Sequence, residues 1–330
     1  MKFHLAINLE RITDQTSMIE VRDHTLDMVK MADKAGFEVV WAAEHHALEM
    51  TIAPNPFQLM TWWAEHTENI RLGAGVVNAA YWHPINLAGE AAMLDLLSGG
   101  RLEFGIGSGA YQREFDRMFP GLDQRDSYKY MQEMLPLVQK LWKGDVEHNG
   151  EYWQFPKATS CPKPLQEDVP VWVAARAPVT YDYAVENNCN IMSWPLTMPF
   201  SELEEYKKRL DDAKARLNPN FSGKFTTMRH TAVYNTEEDR QAALGAVRNV
   251  VNGFPEPIPF DQLEGNVRVE PNMLEENLMF GTPDEVIKKL KKYEALGVDG
   301  FLYYASMGLD IENQKRSMQL FIDEVMPEFS

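Results

Sequence analysis

The sequence predicts an α/β fold, and within that class a (β/α)8 TIM barrel with inserted loops. Three observations carry this. Short apolar runs alternate with longer amphipathic stretches over the whole chain, eight runs have strand character, and no Pro/Gly/Ser-rich linker divides them. Strands separated by helices pair in parallel, because each return to the sheet needs a crossover. Eight such units fit a closed barrel better than a doubly wound open sheet, the architectural alternative. The expectation is one domain spanning 1–330.

The elements follow in order. Residues 2–8 (KFHLAIN) read as a strand. Met18–Ala35 places Val21, Leu26, Val29, Met31 and Ala32 on one broad helical face, and Gly36 stops the helix. Residues 37–41 (FEVVW) form a buried strand, 56–66 a helix, 70–77 a strand and Pro84–Leu97 a helix closed by Ser98-Gly99-Gly100. Residues 101–106 are the fourth strand. Residues 126–142 are a long helix in which Pro136 predicts a kink. Strands at 170–174 and Asn190–Ser193 flank a short helix at 180–187. A charged amphipathic helix at 201–217, a strand at 225–234 and a helix at 237–251 follow. Pro283–Leu296, a strand at 298–304 and a helix at 312–325 complete the chain. Two stretches break the rhythm. Residues 143–167 read as an irregular excursion. Residues 252–280 read as either an active-site lid or a surface insertion, since long irregular loops in compact domains are often functional.

Composition narrows the function classes. Against 32 Lys+Arg stand 49 Asp+Glu, a net charge of −17, which opposes a broad nucleic-acid footprint. With 45% hydrophobic residues the chain can bury a full core. Two cysteines, Cys161 and Cys189, are too few for a disulfide framework and suit a reducing compartment. No apolar run reaches the length of a membrane span, and the N-terminus lacks a signal-peptide pattern. A soluble, cytoplasmic protein without membrane or nucleic-acid partners is expected.

Barrel chemistry sits at the C-terminal ends of the strands. There the sequence gathers Glu44-His45-His46, Asn78, Tyr81-Trp82-His83, Gly107-Ser108-Gly109-Ala110-Tyr111, Arg176, Ser193 and Trp194, with His230 inside a strand. Adjacent histidines on extended chain point apart, and the spacing matches no zinc pattern, so no metal site is expected. His45 has the chemistry of a proton shuttle, with a structural histidine as the other reading. Gly105–Ala110 formally fits G-x-G-x-x-A but follows the fourth strand, not the first, which weakens a dinucleotide reading. Its glycines could still present N–H groups to a phosphate, or simply make a tight turn. Arg176 offers a bidentate fork to phosphate, or a structural ion pair. The basic run at 288–292 reads as a solvated helix face.

Together these segments resemble the bacterial luciferase-like flavin-dependent monooxygenases. AGFEVVWAAEHH (35–46), His83-Pro84, LDLLSGGRLEFGIGSG (94–109), Ser193-Trp194, FGTPDEV (280–286), GVDGF (297–301) and the terminal MPEF occur in the family's order. The resemblance implies a TIM barrel using FMN as exchangeable FMNH2, supplied by a separate NAD(P)H:flavin reductase. It implies O2 activation as a C4a-(hydro)peroxyflavin and transfer of one oxygen atom to a small organic substrate. It implies His45, with Glu44 and His46, as the catalytic group, and Gly75-Val76, whose peptide bond can be cis in the family, beneath the flavin ring. Gly107, Ser108 and Tyr111 would lie near the ribityl phosphate, with Ala174 and Arg176 on the second phosphate segment and Ser193 and Trp194 near the isoalloxazine. Tyr81, His83 and His230 would line the substrate pocket, and a homodimer is expected. The chain departs from true luciferases in carrying Gly107 for a reactive Cys and Ser108 for an Arg, which points away from light emission and toward another oxygenation. The alternatives are a deazaflavin (F420)-dependent hydride-transfer oxidoreductase and a non-catalytic flavin-binding partner subunit.

Overall fold

The computed structural model describes residues 1–11, 15–47, 51–195, 197–253, 274–305 and 308–329. The chain runs β1 (Lys2–Ala6), α1 (Met18–Ala35), β2 (Val39–Ala42), α2 (Pro56–Glu65), β3 (Arg71–Ala74), β4 (Val77–Asn78), α3 (Pro84–Leu97), β5 (Leu102–Gly107), α4 (Gln112–Met118) and α5 (Ser127–Lys143). It continues through β6 (Val146–Asn149), β7 (Gln154–Ala158), β8 (Val171–Ala174), α6 (Pro178–Glu186), β9 (Asn190–Ser193), α7 (Phe200–Leu217) and β10 (Phe225–Val233). Last come α8 (Glu237–Gly253), α9 (Leu274–Asn277), β11 (Met279–Gly281), α10 (Pro283–Leu296), β12 (Gly300–Tyr304) and α11 (Ile311–Leu320).

Local chemistry sets several boundaries. Ser17 and Glu20 close a capping box on α1, and Gly36 ends it at φ 82°, a left-handed turn open to glycine without steric cost. Asn55 caps α2 ahead of Pro56. Thr282 and Glu285 box the start of α10. Pro136 lies inside α5, which continues through it from Ser127 to Lys143.

The sheet order is β1-β2-β3-β5-β8-β9-β10-β12, with β12 returning to β1 in parallel register (Phe3 opposite Phe301, Leu5 opposite Tyr303). This is a closed parallel (β/α)8 barrel, and closure excludes the open doubly wound sheet. The eight expected strands are these eight. The excursion at 143–167 carries an antiparallel β6–β7 hairpin, and α4 and β11 are further elements that the periodicity did not announce. Of the expected lid at 252–280, residues 254–273 lie outside the described residues; the remainder holds α9 and the start of β11, which pairs in parallel with β10.

By contact density the chain forms two compact units, Asn8–Ala174 and Met1–Ile7 with Ala175–Ser330. In the first, Trp41 meets Trp172 edge-on at 5.2 Å, and a side chain at Gly73 would collide with the Trp41 ring, so this strand must be bare there. Glu103 is buried, pairs with Arg71 and accepts from Trp172 Nε1 at 2.5 Å, which satisfies a charge inside the barrel. In the second unit, Phe321 packs on Phe3 (5.2 Å) and Tyr303 (5.0 Å), and Tyr303 hydrogen-bonds Ser317. Among the described residues no helix is long and apolar enough to cross a membrane.

Candidate active site

The loop after β2 holds two histidine–carboxylate pairs. His46 Nε2 lies 2.7 Å from Glu44 Oε1, and His45 Nδ1 lies 3.1 Å from Glu114 Oε2. The two carboxylates are buried, and the two imidazoles keep only 15–16% of their side-chain surface. Glu44 is fully engaged: its Oε2 accepts the backbone N–H of Asn78 (2.7 Å) and the indole N–H of Trp82 (2.9 Å). Glu114 Oε1 accepts the backbone N–H of His46 at 2.7 Å. Glu114 is the residue that sequence reasoning missed. Its signal was an acid in the first turn of α4, one turn beyond Tyr111.

Aromatic rings wall this pair. Tyr111 caps α4 and lies 5.5 Å from the His45 ring; burial, with Glu114 nearby, pushes its phenol up to about 12. Tyr81 meets His46 edge-on at 5.0 Å, and its phenol is raised by burial and by the Glu114 and Glu44 carboxylates. The Tyr81 hydroxyl and Asn78 Oδ1 are buried without a hydrogen-bond partner among the described residues. His83, expected toward the substrate, is exposed: its Nδ1 accepts Ile85 N–H and caps α3, and its ring lies 5.6 Å from Phe155.

The glycines of β5 have a steric reason. A Cβ on Gly105 would sit 1.9 Å from the Ala74 carbonyl oxygen, and one on Gly107 would sit 2.6 Å from Val76 Cγ2. They let β5 press against the Gly75-Val76 peptide, which is cis. Gly75 donates to Ala42 O (2.8 Å), and Val76 O accepts Glu44 N–H (3.2 Å), so this turn is tied to the histidine loop. The Ser108 carbonyl accepts the Ser127 hydroxyl, and Ala174 is the one exposed residue of an otherwise buried β8.

In the second unit Arg176 follows β8 directly. Its Nε donates to Tyr206 OH at 3.1 Å, its carbonyl accepts from Arg209, and its Nη groups make no hydrogen bond to a described residue. It stands at the N-terminus of α6, where backbone N–H groups and the helix dipole favour an anion. Ser193 spends its hydroxyl on Thr226 O. Trp194 gathers with His230 (5.6 Å) and Tyr304 (6.1 Å), and His230 lies 4.5 Å from Tyr304. Trp194 Nε1 and His230 Nδ1 lack partners among the described residues. Burial, reinforced by Arg229, drives the His230 imidazole down to about 3, so it is neutral near pH 7. Tyr304 is the second residue that the sequence did not single out.

The first unit thus holds a histidine paired to a buried carboxylate among aromatic rings, and the second an arginine at the start of a helix. The chain belongs to the luciferase-like monooxygenase family, whose model matches residues 1–300. It is thus an oxygenating flavoenzyme. The oxygenase component of the flavin-dependent trigonelline monooxygenase of Acinetobacter baylyi is 39% identical, over 100% of this chain and 96% of that protein. The monooxygenase RslO1 of Streptomyces bottropensis superposes with a TM-score of 0.87 at 24% identity, covering 100% of both chains. The oxygenating constituent of 3,6-diketocamphane monooxygenase of Pseudomonas putida, solved with FMN, gives 0.81 at 21% identity, covering 99% and 98%. These two likenesses show the fold.

Proposed function

We propose that this chain is the oxygenase component of a two-component system: a single catalytic barrel that takes FMNH2 from a separate NAD(P)H:flavin reductase and inserts one atom of O2 into a small organic substrate. The observation that carries the reading is the His45–Glu114 pair at the barrel rim, a buried, oriented proton donor–acceptor of the kind oxygen transfer requires. Reduced flavin, when bound, supplies the two electrons that activate O2.

The polar groups present fit such a cofactor. Arg176, whose Nη groups make no hydrogen bond to a described residue, would hold the FMN phosphate at the start of α6. In the first unit the unpartnered Asn78 Oδ1 would serve a donor of such a ring; as the family resemblance implies, Gly75, Val76, Gly107, Ser108, Tyr111, Ala174, Ser193 and Trp194 would shape its bed. His45 would hold and release the proton, and Glu44 and His46 would fix the loop that carries it. Tyr81 and His230 would face the substrate. A flat, electron-poor cationic ring such as trigonelline suits the faces of Trp194 and Tyr304 beside a neutral His230. A homodimer is supported by the exposed apolar stripe of Met93, Leu96 and Leu97 on α3.

The test is incubation of the purified chain with photoreduced FMN, trigonelline and 18O2. A product carrying one labelled oxygen, absent without flavin, is expected. Flavin oxidation to peroxide with trigonelline and a panel of neutral ring substrates all returned unchanged would refute the reading.

A further inference from the structure

The two histidine–carboxylate pairs are not equivalent. His46 commits Nε2 to Glu44, which also accepts the Asn78 and Trp82 N–H groups. His45 instead engages through Nδ1, at 3.1 and 3.3 Å from the two oxygens of Glu114. A carboxylate can only accept, so this nitrogen must carry the hydrogen. That leaves Nε2 as the lone-pair nitrogen of a neutral His45.

We propose that Glu114 is a positioning residue: it selects the Nδ1–H tautomer of His45 and so reserves Nε2 for proton exchange at the site. This rests on the reading of His45 as the acid–base group. Glu114 also holds the loop from the backbone. Its Oε1 takes the His46 N–H at 2.7 Å, while His45 N–H bonds Ala53 O at 3.3 Å. One carboxylate therefore fixes both the ring's tautomer and its approach, the arrangement that second partners of a working histidine commonly provide. The Tyr111 ring lies 5.5 Å from the imidazole and limits its rotation. The assignment also separates the residues of the Glu-His-His run by role. His45 exchanges the proton, and Glu44 with His46 form a brace.

The experiment is nitrogen NMR of the resting, flavin-free chain labelled with 15N-histidine, the His45 signals being identified by their loss in His45→Gln. In the wild type Nδ1 of His45 should show the protonated and Nε2 the unprotonated shift. In Glu114→Ala the Nε2–H tautomer, which water favours, should become the major form. In Glu114→Gln, chosen to preserve packing, its share should rise, because one amide oxygen must serve both His45 and the His46 N–H. A wild-type His45 protonated at Nε2, or tautomer populations that both variants leave unchanged, would overturn the proposal. The readout needs no turnover, so an error in the proposed reaction would leave these tautomers as stated, whereas an error about Glu114 would appear here alone.

Discussion

Replacement of Glu44 by alanine separates a brace from a catalytic acid. Glu44 is 5% exposed and receives three hydrogen bonds, from Asn78 N, Trp82 Nε1 and His46 Nε2. The Asn78 amide is buried in β4 and would be left unmet, at a cost of about 1–3 kcal/mol. Trp82 and His46 are partly exposed and can recover some bonding from water, so each adds about 0.5–1 kcal/mol. The sum, about 2–5 kcal/mol, overlaps the usual effect of removing one partner from a buried charged pair. At about 2 °C per kcal/mol, suited to a chain of this size, the melting temperature should fall by about 4–10 °C. Differential scanning calorimetry of Glu44→Ala beside His45→Ala is the assay. The His45 variant leaves the buried Glu114 carboxylate with only the His46 N–H, so it too should melt below the wild type, and it alone should abolish oxygen transfer. A Glu44→Ala protein melting within about 2 °C of the wild type would refute the bracing role.

Arg176→Ala should weaken FMN far more than riboflavin by fluorescence titration, and equal weakening would remove Arg176 from the phosphate. His230 should show no titration of its ring protons between pH 5 and 8; because its folded pKa lies below the ordinary 6.5, its contribution to stability is present above that value and is lost as pH falls toward about 3. A ring that titrates near pH 6 would contradict its burial. Burial also holds Lys289 down to about 8. The unfolded chain then binds the extra proton between about 8 and 10.5, so stability should rise with pH across that window, and Lys289→Met should lack this rise in melting temperature. Leu97→Asp, placed in the α3 stripe, should shift the mass in light scattering from dimer to monomer, and an unchanged mass would place any interface elsewhere.

The barrel was legible because a helix and a strand leave different apolar periods. β1, β2, β8 and β12 are short apolar runs that a 3.6-residue period cannot explain. Elements too short or too polar to have a period were not legible. β6 alternates but carries Glu147 and His148, and β11 spans three residues whose pairing to β10 is a tertiary fact. Among the candidate residues the Glu-His-His run and Arg176 stood out by residue type, and Gly75-Val76 only through the family resemblance. Glu114 did not, because it meets His45 from 69 residues away and only the barrel's curvature brings α4 to the loop after β2. The glycines of β5 attracted a phosphate-loop reading, yet Gly105 and Gly107 already have a sufficient cause in the close approach of Ala74 and Val76. His83, read from its place after a strand, also has a structural task as the N-cap of α3.

The most direct test of the central claim is anaerobic binding of reduced FMN and reduced F420 to the purified chain, followed by rapid mixing with O2. Reduced FMN should bind in preference, and oxidised FMN should appear only after a lag behind the loss of reduced flavin, as expected where bound flavin would be shielded from water. Preference for F420, or reoxidation of FMN in one phase at the rate of free flavin, would contradict it.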